Sequence, residues 1–93
     1  MGFEYDKQKS TDNKRKHGID FDEAQALWED TDAIILPALT SEEARYLVIG
    51  RIGRKHWAAI ITERDENIRL ISVRRARTKE IELYEENKSI GTG

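Results

Sequence analysis

Thr62-Glu63-Arg64-Asp65-Glu66-Asn67-Ile68-Arg69-Leu70-Ile71-Ser72-Val73-Arg74-Arg75-Ala76-Arg77-Thr78-Lys79 is the stretch on which the fold turns. Its segment from Ile68 to Val73 suits a strand, and Asp65-Glu66-Asn67 is a tight polar turn after a strand that ends at Glu63-Arg64. An antiparallel hairpin follows. Between Arg64 and Lys79, six cations (Arg64, Arg69, Arg74, Arg75, Arg77, Lys79) face two anions, Asp65 and Glu66, a net charge of +4. Because the turn lies between Arg64 and Ile68, Arg64 sits beside it and Arg74-Arg75 at the far end. The cations therefore spread over a sheet surface instead of meeting at a point.

Working outward, Lys55 to Thr62 and Arg45 to Ile49 read as two further strands, the second with Tyr46 and Val48 on one face and Leu47 and Ile49 on the other. Gly50 to Arg54 supplies a glycine-bearing connection, so the three strands form a meander. Ala33-Ile34-Ile35-Leu36, ended by Pro37, is an edge strand or a buried extended link. Thr40 to Glu43 is a turn or one loose helical turn. Upstream, Gly2 to Tyr5 suits a short strand with Phe3 and Tyr5 on one face. A helix is expected over Lys7 to His17, closed by Gly18. Asp20-Phe21-Asp22-Glu23 reads as a capping box that opens a helix through Trp28, with Phe21, Ala24, Leu27 and Trp28 inward. Thr78 caps a last helix, Lys79 to Asn87, with Ile81 and Tyr84 inward. Residues 1–88 thus make one α+β domain, an antiparallel meander with N-terminal helices and a C-terminal helix packed on it, and residues 89–93 a small-residue flexible tail.

Ninety-three residues suffice for one core, and with 38% hydrophobic and 37% charged residues that core is economical and the surface ionic. The net charge of −2 conceals segregation, since Asp20, Asp22, Glu23, Glu29, Asp30 and Asp32 stand apart from the cations. A polyanionic partner must therefore meet a local patch. The absence of cysteine excludes disulfides, thiolate metal sites and thiol catalysis. No apolar run reaches membrane-spanning length, so no membrane partner and a cytoplasmic location are expected.

Chemistry has few candidate carriers. His17 can cap its helix or move a proton, while His56, beside Trp57, reads as a surface or packing residue. With two separated histidines and no cysteine, neither a metal site nor a cofactor is expected. Glu63 could act as a base and Arg64 could clamp a phosphate, against the plainer reading of an exposed ion pair. Ser72 lacks a nucleophile context and could bond a phosphate or the backbone. Arg74, Arg75 and Arg77 repel one another at the strand-to-helix junction, a repulsion that a phosphate or an acidic protein segment would relieve.

Phe3-Glu4-Tyr5-Asp6, Lys7, Lys16-His17-Gly18-Ile19 with Phe21, Glu23 and Ala24, then Arg45, Ile49-Gly50, Thr62-Glu63-Arg64 and the run Ile68 to Ala76 resemble the BrnT family of toxins, from Phe3 to about Tyr84-Glu85. Tyr5 stands where that family more often has Trp. The resemblance implies a RelE-like α+β fold, metal-independent endoribonuclease activity, neutralisation by a BrnA-type antitoxin, and binding of operator DNA by the complex through that antitoxin. It makes Arg64, Arg74 and Arg75 ligands of the phosphate and transition state, His17 or Glu63 the proton carrier, and Lys7 and Arg69 contacts to the RNA backbone. Ser72 and Arg77 join the RNA-binding set. A non-catalytic nucleic-acid or protein-binding module serving as a co-repressor subunit is the alternative from another class.

Overall fold

In the computed structural model, residues 2–38 and 44–91 are described. The hairpin forms as β4 (Lys55–Arg64) and β5 (Asn67–Arg75), paired from Arg64↔Asn67 to Trp57↔Arg75. Its turn is only two residues long, Asp65 and Glu66, both with positive φ (50° and 71°), the backbone that matches the twist of the flanking strands. One irregularity matters below: Ile61 opposes Leu70 but Ile60 opposes Ser72, so β5 carries Ile71 as an extra residue. Strand β3 (Arg45–Ile52) lies antiparallel on the other side of β4. The connection is shorter than the glycines suggested. Gly53, at φ 63°, turns the chain, whereas Gly50 lies within β3, paired with Trp57, where a Cβ would meet Leu27 Cδ2 at 3.0 Å.

Both sheet edges depart from the sequence expectation in instructive ways. The edge strand β2 (Ile34–Ala38) continues through Pro37, which an edge tolerates because one side needs no ladder partner. At the opposite edge β1 (Phe3–Glu4) pairs with β5 in parallel, Phe3↔Ile68 and Glu4↔Arg69. The sheet, in the order β1-β5-β4-β3-β2, is therefore mixed and not purely antiparallel.

One face of the sheet carries the main core. Val48, Trp57, Ala59, Ile61, Ile68, Leu70 and Val73 pack there against Ile19, Phe21, Ala24 and Leu27. Helix α1 (Lys7–His17) starts at Asp6, whose carboxylate accepts the Lys9 N–H, and stops at Gly18 with φ 83°. The capping box also forms, Glu23 N–H donating to Asp20 at 2.7 Å and Asp20 N–H to Glu23 at 3.0 Å. What it opens, however, is a 3-10 helix, Glu23–Glu29, and not the expected α-helix. Phe21, Ala24 and Leu27 recur every third residue and are all fully buried, a period that three residues per turn keeps on one line. Trp28 falls off that line and meets Phe3 edge-on at 5.0 Å.

The opposite face is covered only in part. Helix α2 runs from Thr78 to Gly91, beyond the expected end at Asn87, and buries Tyr84. Of the tail expected from Ser89, the backbone to Gly91 belongs to this helix, and Thr92-Gly93 lie outside the described residues, as does the turn expected at Thr40 to Glu43. α2 docks through His56, edge-on to Tyr84 at 5.3 Å, and through Arg74. Both belong to the face opposite the main core, and toward the hairpin turn no described element covers that face.

Candidate nucleic-acid interface

Alternation along β4 puts Arg64, Thr62, Ile60, Ala58 and His56 on the face away from the main core. Thr62 pairs with Arg69 on one side, and the pairing Tyr46↔Ile61 sets Arg45 beside Thr62 on the other. With neighbouring strands about 4.8 Å apart, Arg45 and Arg69 flank Thr62, and Arg64 follows about 7 Å further along β4. Three guanidinium groups from three strands thus share one patch. Thr62 anchors its centre by donating its hydroxyl to the Ala44 carbonyl at 2.8 Å. Rigid strands hold the arginine backbones.

Glu4 completes the patch from the edge. Parallel pairing sets it directly beside Arg69, with Oε1 3.8 Å from Arg69 Nη1. That oxygen is buried and accepts no hydrogen bond from any described residue. Away from the turn, the next row is Leu36, Leu47, Ile60 and Ser72, all half-buried, so an aliphatic strip with one hydroxyl adjoins the arginines.

Arg74 lies on the same face two rows beyond Arg69, but six residue steps along β4 separate its row from Arg64, about 20 Å. It is also engaged. Its Nη1 and Nη2 donate to Glu80 Oε1 and Oε2 at 2.8 and 2.9 Å, and Glu80 in turn accepts the Arg77 N–H at 2.8 Å. The bond to Arg74, which outweighs burial, holds the Glu80 carboxyl below its usual range. The bond to Glu80 likewise raises Arg74, burial opposing it. This pair clamps the start of α2 to the sheet.

The remaining expected site residues are elsewhere. Glu63, adjacent to Arg64 in sequence, points to the other face, where with Trp28, Ile35, Tyr46, Ile61 and Ile68 it lines an apolar groove of about 380 Å³. Arg75 also belongs to that face, its guanidinium 5.5 Å from the Trp57 ring. His17 ends α1 one turn beyond Asn13, whose amide bonds Val73. Lys7, at the start of α1, opens onto a groove of about 560 Å³ shared with Lys14 and Arg15. Arg77 is exposed before α2. Of the expected set, the sheet brings together Arg64 and Arg69, with Ser72 one row away, and it adds Arg45 and Glu4. Arg45 shares the alternation of Leu47 and Ile49, which could have assigned it to this face; Glu4 required knowledge of the β1–β5 pairing.

Among the described residues no group of three His, Cys, Asp or Glu side chains could hold a metal ion, and no helix is long and apolar enough to cross a membrane. A family model described as a ribonuclease toxin, BrnT, of type II toxin-antitoxin system matches residues 5–80. None of the curated proteins compared with the chain matches it.

Proposed function

This chain belongs to the BrnT family, the ribonuclease toxins of type II toxin-antitoxin systems, and on that premise we propose that the face bearing Arg45, Arg64 and Arg69 is where it binds and cuts RNA. The single observation that carries the proposal is the row Arg45-Thr62-Arg69 with Arg64 beside it. Arginine stays charged at neutral pH and presents a planar fork that matches phosphate oxygens. In metal-independent cleavage the 2′-hydroxyl oxygen attacks the adjacent phosphorus, the bond to the 5′-oxygen breaks, and a cyclic phosphate and a 5′-hydroxyl result. Charge builds up on the phosphorane oxygens, and fixed guanidinium groups stabilise it there. Ser72 is one row away and can donate to the same backbone. Lys7, Arg75, Arg77 and His17 lie outside this patch and would meet only RNA that wraps beyond it, and Arg74 acts through its hold on α2.

The same face suits neutralisation by the antitoxin. An antitoxin segment that carries acidic side chains for the arginines and apolar ones for Leu36, Leu47 and Ile60 would occlude the RNA, as a BrnA-type partner acting in the cytoplasm would require. Operator DNA would then be held by the antitoxin part of the complex. One observation favours the alternative of a non-catalytic co-repressor subunit: Glu63 faces away from Arg64.

Purified wild type and Arg64→Ala are to be incubated with a defined single-stranded RNA and with RNA on translating ribosomes, each with and without EDTA. Cleavage by wild type that survives chelation and is lost in Arg64→Ala supports this site. Equal cleavage by the variant refutes it, and inactivity of wild type on both substrates favours the co-repressor.

A further inference from the structure

We propose that Glu4 is the general base of this site, an assignment that rests on the ribonuclease reading of the arginine face. The mechanism requires a group to take the 2′-hydroxyl proton, and arginine is too weakly basic to do so. Most carboxylates in reach are otherwise engaged. Glu80 is bound by Arg74 and the Arg77 N–H, Glu63 faces the apolar groove, and Asp65 and Glu66 form the hairpin turn. Glu4 differs from them in three respects. Register with Arg69 sets it at the border of the arginine patch. Its Oε1 accepts no hydrogen bond from any described residue, so the carboxylate is not spent on holding the fold. Finally, Glu4 and Arg69 keep 33% and 31% side-chain exposure, enough for a nucleotide to reach both.

The ion pair at 3.8 Å is long for a direct hydrogen bond, as expected of two groups that wait for a third between or beside them. With RNA bound, Arg69 turns toward the phosphate and the Glu4 carboxylate receives the 2′-hydroxyl proton as the O2′–P bond forms. The electron pair of the P–O5′ bond leaves with O5′, which takes a proton from water, and Glu4 returns its proton to solvent. No oxidant, metal or second substrate enters the balance. Strand β1 thus brings the base to the arginines through its parallel pairing with β5.

The test compares wild type, Glu4→Gln, Glu4→Asp and Arg64→Ala on whichever RNA, free or ribosome-borne, wild type cuts. Glu4→Gln should lower the single-turnover cleavage rate at saturating RNA by roughly 100-fold or more, the scale of general base catalysis. RNA affinity and thermal midpoint should hardly move, and the fall in rate toward acid pH expected of wild type should be absent. Glu4→Asp should recover part of the rate. A Glu4→Gln rate near that of wild type, in a protein that Arg64→Ala inactivates, overturns the assignment while sparing the site. A rate loss matched by weaker RNA binding, with the acid limb of the profile intact, marks Glu4 as a support for Arg69 and also overturns it. If wild type cuts neither substrate, the ribonuclease reading fails and this assignment with it.

Discussion

Asp30 accepts the Tyr84 hydroxyl at 2.8 Å on the same carboxylate oxygen that takes the Arg51 N–H at 2.8 Å. Pairing of β2 with β3 begins at Ile34↔Ile49, so Arg51 lies past the end of β2 with its edge N–H unclaimed by a strand. Asp30 takes the place of the missing strand and ties α2 to the 3-10 layer. Burial opposes the Asp30 charge, but bonds from Arg51, Asp32 and Tyr84, with Lys88 nearby, hold its carboxyl below the usual range. Burial, then the bond to Asp30, pushes the Tyr84 phenol well above its usual range. A depressed carboxyl stabilises the fold above its unfolded pKa and loses that contribution as pH falls through the folded value; a raised phenol stabilises below 10.0 and loses it as pH climbs beyond. Tyr84→Phe should cost about 1 kcal/mol at neutral pH and flatten the alkaline fall in stability. Urea titrations between pH 7 and 11 test this.

Asn13 performs a similar service at the other edge. Its amide nitrogen donates to the Ile19 and Val73 carbonyls at 2.8 and 2.9 Å, and its oxygen accepts the Val73 N–H at 3.2 Å. Since β1 pairs only at Ile68 and Arg69, the edge of β5 would otherwise leave Val73 unsatisfied in a buried place. Asn13→Leu removes the bonds and adds no donor, and should destabilise the protein by about 2–4 kcal/mol, the cost of several orphaned polar groups. Thermal unfolding measures it directly. A midpoint within a degree or two of wild type would contradict this account.

These two side chains illustrate which parts of the fold the sequence made legible. Alternation and turn residues indicated the β3-β4-β5 meander, and Gly18, Asp20 and Glu23 marked helix ends, because those signals are local. The partners of Asn13 and Asp30 lie up to 60 residues away, and in a sequence Asn13 shows only as a weak helix former. The parallel β1–β5 pairing was hidden for the same reason, and with it Glu4. The opposition of Glu63 and Arg64 was legible in principle, since adjacent residues on a strand face opposite ways.

Arg74 and Arg64 should separate on mutation. Arg74→Gln unfastens α2 and should lower the thermal midpoint, and a double-mutant cycle with Glu80→Gln should give a coupling of about 1–3 kcal/mol. Because Arg74 depresses the Glu80 carboxyl, this stabilisation is full above the unfolded glutamate value of 4.5 and disappears as pH falls through the lower folded value. Wild type should therefore lose its advantage over Glu80→Gln in acid. Arg64→Ala, exposed at a strand end, should leave the midpoint where it is. Chemical denaturation of wild type, the two single variants and the double variant of the cycle, and Arg64→Ala, at pH 7 and pH 3, distinguishes a clamp from a surface charge; equal losses for Arg64→Ala and Arg74→Gln would remove the distinction.

Salt offers an independent view of the arginine face. Each phosphate neutralised on a single strand releases condensed counterions, so the logarithm of RNA affinity falls with the logarithm of salt at about 0.7 per contact. If Arg45, Arg64 and Arg69 each hold a phosphate, any one alanine variant should reduce that slope by about 0.7, and weaken binding on every RNA sequence alike. Glu4→Gln removes an anion and no phosphate contact, so its slope should match wild type. Fluorescence titrations of a labelled single strand from 50 to 200 mM salt, roughly the range over which such contacts are resolved, give these slopes. Unchanged slopes in all three arginine variants would move the RNA to another surface, with the Arg75, Arg77 and Lys79 end of the hairpin next to be tested.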